Sequence, residues 1–187
     1  MKDYIVTVMA RDRVGIVRDV STALDGLGGN ISHVSQTVMR GYFTLIVSVH
    51  MPDDRTQLEI RQAVERTGDV GEFEVNVRPF EEAAAQTPSQ CERFTLTIQG
   101  NDRPGIIARV TNYLADEGIN IDDFYAYIKD SRFVMLAQVL IPAEMDTESV
   151  QTSLEQMGEE YQTIVHLQHE NIFKATSEIS PVLDLQR

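Results

Sequence analysis

The chain has 187 residues, 42% of them hydrophobic, and sets 16 lysines and arginines against 29 aspartates and glutamates for a formal charge of -13. That length allows one large or two small domains with buried cores, while the charge opposes nucleic-acid phosphates and anionic membrane surfaces, and the sequence shows no local basic patch to reverse this. A single cysteine, Cys91, excludes an internal disulfide and a thiolate metal cluster built from one chain. Met1-Lys2-Asp3-Tyr4 enters a strand without a basic region and a long apolar core, so neither a secretion signal nor a membrane span is expected, and the expected location is cytoplasmic.

Alternation from Tyr4 to Ala10 predicts a strand with Tyr4, Val6 and Val8 on one face. Arg11-Asp12-Arg13-Val14-Gly15-Ile16-Val17 then turns it into a helix on which Ile16, Val20, Leu24 and Leu27 recur, with Asp12 near enough to cap the start and Gly28 suited to the left-handed residue beyond the end. Asn30 opens a second strand with Val34, Gln36 and Val38 on one face. After a turn around Met39 to Tyr42, a third strand carries Phe43, Leu45, Val47 and Val49 until Pro52 ends it. A second helix carries Ile60 and Val64 and stops at Gly68, and Phe73, Val75 and Val77 mark a closing strand. Residues 81–92 lack apolar periodicity, contain Pro88, and read as a linker.

The pattern then repeats. Phe94, Leu96 and Ile98 point inward from a strand, and Asn101-Asp102-Arg103-Pro104-Gly105-Ile106-Ile107 opens a helix bearing Ile106, Val110 and Leu114, with Pro104 suited to its first position and Gly118 past its end. Asn120 begins a strand with Phe124, Ala126 and Ile128 on one face. A turn over Lys129 to Arg132 leads to Phe133, Met135, Ala137 and Val139, with Pro142 as the stop. Val150, Leu154 and Met157 mark a helix that Gly158 ends, and Ile164, Val165 and Leu167 a last strand. Without any gap, residues ninety apart are identical at Thr7 and Thr97, Asp12 and Asp102, Gly15 and Gly105, Leu24 and Leu114, Gly28 and Gly118, Asn30 and Asn120, Phe43 and Phe133, and Pro52 and Pro142. One register across a half-chain is the mark of a duplicated domain.

The fold class is therefore α+β: two ferredoxin-like βαββαβ domains, residues 1–80 and 93–170, each an antiparallel sheet with its helices on one face. The tail, 171–187, holds Ile172, Phe173, Ile179, Val182, Leu183 and Leu185, more apolar than a disordered tail, and is expected to dock. On the face away from the helices the first copy offers Thr44, Ser48 and His50 beside Ile46. The second offers Val134, Leu136 and Leu140 with Tyr125 and Tyr127. A face that apolar is expected to be covered by the other domain, the tail or a second subunit, unless a slip of strand register turns it into the core.

The two strand-to-helix corners are the candidate sites. Such a corner aims unpaired N–H groups at one spot, and the positive end of the helix dipole adds to them, which suits a carboxylate or phosphate. Each residue also has a plainer role: Gly15 and Gly105 as close-packing positions, Asp12 and Asp102 as caps, Asn30 and Asn120 as turn formers, Arg13 and Arg103 as solvated charges, and Ile16, Ile31, Ile106 and Ile121 as core. His33, His50, His166 and His169 lack metal-ligand spacing, and no nucleophile elbow, phosphate loop or dinucleotide fingerprint occurs, so a non-enzyme without metal or cofactor is expected.

Asp102-Arg103-Pro104-Gly105-Ile106, then Val110, Leu114 and Gly118-Ile119-Asn120-Ile121, resembles the signature of the ACT domain, the amino-acid-sensing regulatory module. Asp12-Arg13-Val14-Gly15-Ile16, Val20, Leu24 and Gly28-Gly29-Asn30-Ile31 is a second copy, in which Val14 stands in place of the family proline and implies a less rigid turn. Two such domains without a catalytic one resemble the tandem ACT proteins of the glycine cleavage system transcriptional repressor type. The resemblance implies an effector, often an amino acid, held between adjacent domains. By position it nominates Asp12, Arg13, Gly15, Ile16, Asn30 and Ile31 in the first copy, and Asp102, Arg103, Gly105, Ile106, Asn120 and Ile121 in the second. The expected function is an amino-acid-sensing regulator that acts through a protein partner as a homodimer, without direct contact to nucleic acid or membrane. The alternatives are a ligand-free interaction module, a detached regulatory subunit of a metabolic enzyme, and a hydrolase of the acylphosphatase type, whose glycine-rich phosphate cradle is missing.

Overall fold

Each half of the chain folds as β-α-β-β-α-β, in a computed structural model that describes residues 1–81, 90–129 and 132–171. The first half runs β1 (Lys2–Arg11), α1 (Ile16–Gly26), β2 (Asn30–Met39), β3 (Tyr42–Met51), α2 (Gln57–Glu65) and β4 (Glu74–Pro79). The second runs β5 (Cys91–Asn101), α3 (Ile106–Asp116), β6 (Asn120–Lys129), β7 (Arg132–Pro142), α4 (Thr147–Tyr161) and β8 (Thr163–His169). The sheets have strand orders β2-β3-β1-β4 and β6-β7-β5-β8, all neighbours antiparallel, as expected for the ferredoxin-like unit. The chain divides into two compact units, each with its own sheet and its own core. β5 takes in Cys91 and Glu92, two residues expected in the linker.

The periodicities work as read. Val6, opposite Val47 and Val77, and Leu96, opposite Ala137 and Leu167, form rows of inward side chains. Ile16, Val20 and Leu24, and in the other unit Ile106, Val110 and Leu114, lay a buried stripe on them. Gly28 and Gly118 are left-handed, φ 78° and 70°, and close Schellman motifs: Gly28 N–H reaches Asp25 O at 2.8 Å and Gly29 N–H reaches Leu24 O at 2.9 Å, while Ile119 N–H reaches Leu114 O at 2.8 Å.

Three expectations require correction. Asp12 and Asp102 do not cap their helices; Gly15 and Gly105 occupy the cap position with φ 97° and 96°, and no side chain hydrogen-bonds the exposed N–H groups. Pro104 accordingly lies just before the cap and not at the first helical position. The third concerns Gly158, which lies inside the 15-residue α4 and does not end it, although Gly68 follows the 9-residue α2. Asp69 to Glu72 form a closed turn, with Glu72 N–H to Asp69 O at 3.0 Å and Gly71 left-handed, whereas Glu159-Glu160-Tyr161 favour helix. Chain reversal into β8 then falls to Gln162, at φ 55°.

β2 and β6 are edge strands. Val34, Gln36 and Val38 share the helix-side face opposite Val47, Leu45 and Phe43, yet Val34, on the edge strand, is 53% exposed. On the outer face of the second sheet, Tyr125 pairs with Leu136 and Tyr127 with Val134, so the register has not slipped. Both tyrosines are more than half exposed. Tail residues 172–187, one of the three coverings expected for this face, linker residues 82–89 and the turn at 130–131 lie outside the described residues.

Gly100 is a packing glycine that has alanine, Ala10, as its counterpart in the first unit. A Cβ on Gly100 would stand 2.8 Å from Gln162 O and 2.8 Å from Thr163 Cα, because the short turn from α4 passes over it. Gly100→Ala is expected to destabilise the second domain by about 1–3 kcal/mol in urea unfolding through overpacking; an unchanged midpoint would mean that the turn yields freely.

Candidate functional site

Each corner joins a strand to a helix through a left-handed glycine. The first intrahelical bonds run from Asp19 N–H to Gly15 O and from Arg109 N–H to Gly105 O, both 2.9 Å. The N–H groups of residues 16–18 and 106–108 therefore precede the helical ladder, and the dipole makes both ends attractive to anions. Around this shared backbone the side chains differ.

At the first corner, Arg13 donates from Nη1 to Asp19 Oδ2 at 2.8 Å and from Nε to Glu72 Oε1, with its guanidinium carbon 5.4 Å from the Phe73 ring centroid. Arg18 donates to the other Asp19 oxygen at 2.7 and 3.0 Å, and Glu72 Oε2 accepts from Asp69 N–H at 2.8 Å. Hydrogen bonds from Arg18 and then Arg13 hold the Asp19 carboxyl below its usual range. Arg13, followed by the Asp69 N–H, does the same for Glu72, while those carboxylates raise Arg13 further. Asp19 also lies in the first turn of α1, where a negative charge compensates the dipole.

At the second corner the positions of Asp19 and Glu72 are taken by Arg109 and Gln162. Arg103 donates to the Gln162 side-chain oxygen, a neutral partner, and the first turn of α3 has no acidic residue. The Tyr161 hydroxyl stands 3.5 Å from where a Cβ on Gly105 would be, in ordinary contact, so the glycine answers to its φ and not to crowding. A concavity of about 430 Å³ opens here, lined by Asp102, Arg103, Gly105, Ile107 and Ile128 among others. Its walls are mostly apolar, with Ile107, Ala108, Ile128 and Phe133 beside the Asp102–Arg103 turn.

The remaining nominated residues lie elsewhere. Asn30 pairs across from His50, itself opposite Asp3, whereas Asp12 follows the far end of β1. At about 3.3 Å per residue the two ends are roughly 25 Å apart. Asn120, opposite Leu140, lies likewise level with Arg93 at the start of β5, with β7 between them. Within one unit, then, Asp12, Arg13, Gly15 and Ile16 come together without Asn30 and Ile31, and Asp102, Arg103, Gly105 and Ile106 without Asn120 and Ile121. Ile16 and Ile106 are buried, and Ile31 and Ile121 pack against the cores. Asp19, Glu72, Arg109, Tyr161 and Gln162 were not singled out from the sequence; the ninety-residue register shows the exchange of Asp19 for Arg109, a signal that a search for identities passes over. Among the described residues no group of three or more His, Cys, Asp or Glu is placed to hold a metal, and no helix is long and apolar enough to cross a membrane.

Two βαββαβ units in tandem, each with an uncapped helix start at its first corner, define a class of two-unit α+β proteins built around main-chain corners. Models of the ACT domain match residues 4–69 and 92–168, and the chain belongs to the ACT-domain family. It is 38% identical over 84 residues to a UPF0237 protein of Methanococcus maripaludis, covering 44% of this chain and 93% of that one. A UPF0237 protein of Listeria innocua is 40% identical over 84 residues, covering 44% and 94%. Among solved structures, a protein from Galdieria sulphuraria superposes with a TM-score of 0.74 at 26% identity, covering 90% of this chain and 98% of that one. A candidate glycine cleavage system transcriptional repressor gives 0.66 at 14% identity over 89% and 95%, a likeness of fold.

Two outcomes check this geometry. Because the Asp19 and Glu72 carboxyls are depressed, the stability from their pairing is present above the unfolded carboxylate pKa of about 4 and is lost as pH falls through the lower folded values. The thermal midpoint of the wild type is therefore expected to fall more than that of Arg13→Ala between about pH 6 and about pH 3; parallel falls would show the pairs to be energetically idle. Gly105→Ala, forced to φ near 96°, is expected to cost roughly 1–2 kcal/mol in chemical unfolding.

Proposed function

We propose that this protein is a non-catalytic regulator that senses a small molecule, an amino acid, and passes the signal to a protein partner, in control of glycine, one-carbon or other amino-acid metabolism. The observation that carries the reading is the second corner: N–H groups at an uncapped helix start, Arg103 bonded to a neutral amide in place of a carboxylate, and a concavity of about 430 Å³. An α-carboxylate would sit on the main-chain N–H groups of residues 106–108, with Asp102 on the rim to receive the ammonium. Membership of the ACT-domain family supports an effector of this size, and the UPF0237 relatives support a role outside catalysis. Arg109, at the position that Asp19 takes in the first unit, puts a positive charge near the start of α3 in place of a negative one and adds to the attraction for a carboxylate. Signalling requires the effector to bind two arrangements of the protein unequally, since equal affinity shifts no population. With a charge of -13, an effect on transcription would run through another protein.

A ligand-free interaction module is the second reading, favoured by the exposed outer face at Tyr125, Tyr127 and Ile164. Calorimetric titration with glycine, serine and the other common amino acids separates the two. Saturable heat with at least one of them, weakened about tenfold or more by Arg103→Ala, is the expected result for a charge-assisted contact; no heat and no thermal shift with any of them would favour the interaction module.

A further inference from the structure

The two corners share a backbone but not a state of charge. At the first, Arg13 is held by Asp19 on α1 and by Glu72 in the segment before β4, so one guanidinium ties the start of the first helix to the entry of the last strand. Two carboxylates, Asp19 and Glu72, pair with two guanidinium groups, those of Arg13 and Arg18, and Asp12 adjoins Arg13 in the sequence. A carboxylate arriving there would have to break existing ion pairs and then meet two anions. At the second corner, the corresponding positions hold one carboxylate, Asp102, two guanidinium groups, those of Arg103 and Arg109, and the neutral Gln162 and Ala108. The chain supplies its own anions in one place and leaves them out in the other.

We infer that duplication has divided the labour of the corners: the first is a latch, closed by its own carboxylates between α1 and the entry to β4, and each chain binds one carboxylate-bearing effector, at the second corner. This rests on the reading of the protein as an amino-acid sensor. Arg13, nominated with Arg103 as a ligand contact, is then structural, and a corner whose Asp, Arg and Gly recur in both halves has two uses. The exchange of Asp19 for Arg109 and of Glu72 for Gln162 is what separates them.

Two measurements on the whole 187-residue chain test this. In the first, phenylglyoxal modification followed by peptide mass spectrometry, with no effector added, reads the state of each guanidinium. Arg103 is expected to react faster than Arg13, whose guanidinium is engaged by the carboxylates of Asp19 and Glu72, and equal rates would overturn the inference whether or not any amino acid binds. The second is calorimetric titration with glycine, serine and the other common amino acids. One site per chain, lost in Arg103→Ala and kept in Arg13→Ala, supports the inference. Two sites per chain, or loss of binding in Arg13→Ala when circular dichroism shows that variant folded, overturns it. Absence of binding by every amino acid, with Arg103 still the faster to react, would sink the sensor reading and the single-effector site while leaving the latch standing. The double variant Asp19→Arg, Glu72→Gln recreates the second corner's charge at the first and is expected to raise the stoichiometry from one to two; an unchanged value of one would show that charge does not decide which corner is used.

Discussion

The fold turns on a conformational demand at one residue per unit. To leave the sheet and lay its apolar stripe back across it, the chain must reverse within a few residues of the end of β1 or β5, and it does so at Gly15 and Gly105 with φ near +97° and +96°. An L side chain there is strained whatever the space around it, so glycine is required by the backbone alone. The same residue stands where Ser, Thr, Asp or Asn would ordinarily cap a helix. The helix start is thus left without a side-chain cap in both units, and the N–H groups that could hold an acid are a consequence of the geometry that closes the core.

What the units then do with that consequence depends on how they reach their last strand. α4 runs on through Gly158 to Tyr161 and reverses at Gln162, which brings a neutral amide to Arg103 and an aromatic hydroxyl over Gly105. α2 stops at Glu65, and a turn closed by Asp69, Gly71 and Glu72 carries a carboxylate to Arg13. The second helix of each unit, by where it ends, therefore sets the charge of its corner, through a residue at the same place in the duplicated register. Gly100 belongs to the same set: it is glycine because the tight reversal at Gln162 crosses it, while the longer loop of the first unit leaves room for Ala10.

Alternation and helical period were enough to read the element order, the pairing of inward faces and the duplication, because burial imposes those periods on every residue of a strand or stripe. Tyr4, Val6, Val8, Ile16, Val20, Leu24 and their partners ninety residues on lie where that logic puts them. What could not be read is decided by local competition. Gly68 and Gly158 occupy the same place in the repeat, but only the first is followed by residues that close a turn. Asp12 and Asp102 look like caps to a reader of spacing because the left-handed glycine that displaces them adds no signal of its own. At the site, the corners were legible and their difference was not: Arg13 and Arg103 are the same letter, and their meanings come from Asp19, Glu72 and Gln162, 6 and 59 residues away along the chain. The separation of Asn30 from Asp12 follows from strand direction, since β1 and β2 run the same way on either side of β3 and their starts lie at the same end of the sheet.

The outer surfaces show the same divergence under a common constraint. Both sheets leave one side of a 10-residue edge strand, β2 or β6, unpaired among the described residues, and both interrupt it with a bulge at the matching residue, Ser32 or Asp122. Ser32 turns its hydroxyl to Ser48 O at 3.1 Å, and Asp122 meets Arg93 at 3.0 Å, so each edge is broken near its start, where a flat strand would otherwise offer a continuous ladder to another chain. Beyond the edge the faces part. The first carries the Asp3 and His50 pair across β1 and β3 with Ser48 next to it and Thr44 farther along β3; the second places Leu140 and Leu136 at the positions of His50 and Ile46, with Tyr125 and Tyr127 alongside. This divergence lies outside the core, where the helix-side residues keep their register in both copies. A net charge of -13 makes copies of the chain repel one another and so offsets the tendency of an exposed tyrosine face to associate without specificity. The duplicated scaffold has therefore kept one solution to folding while the corner and the outer face, which folding does not constrain, took different chemistry in each half.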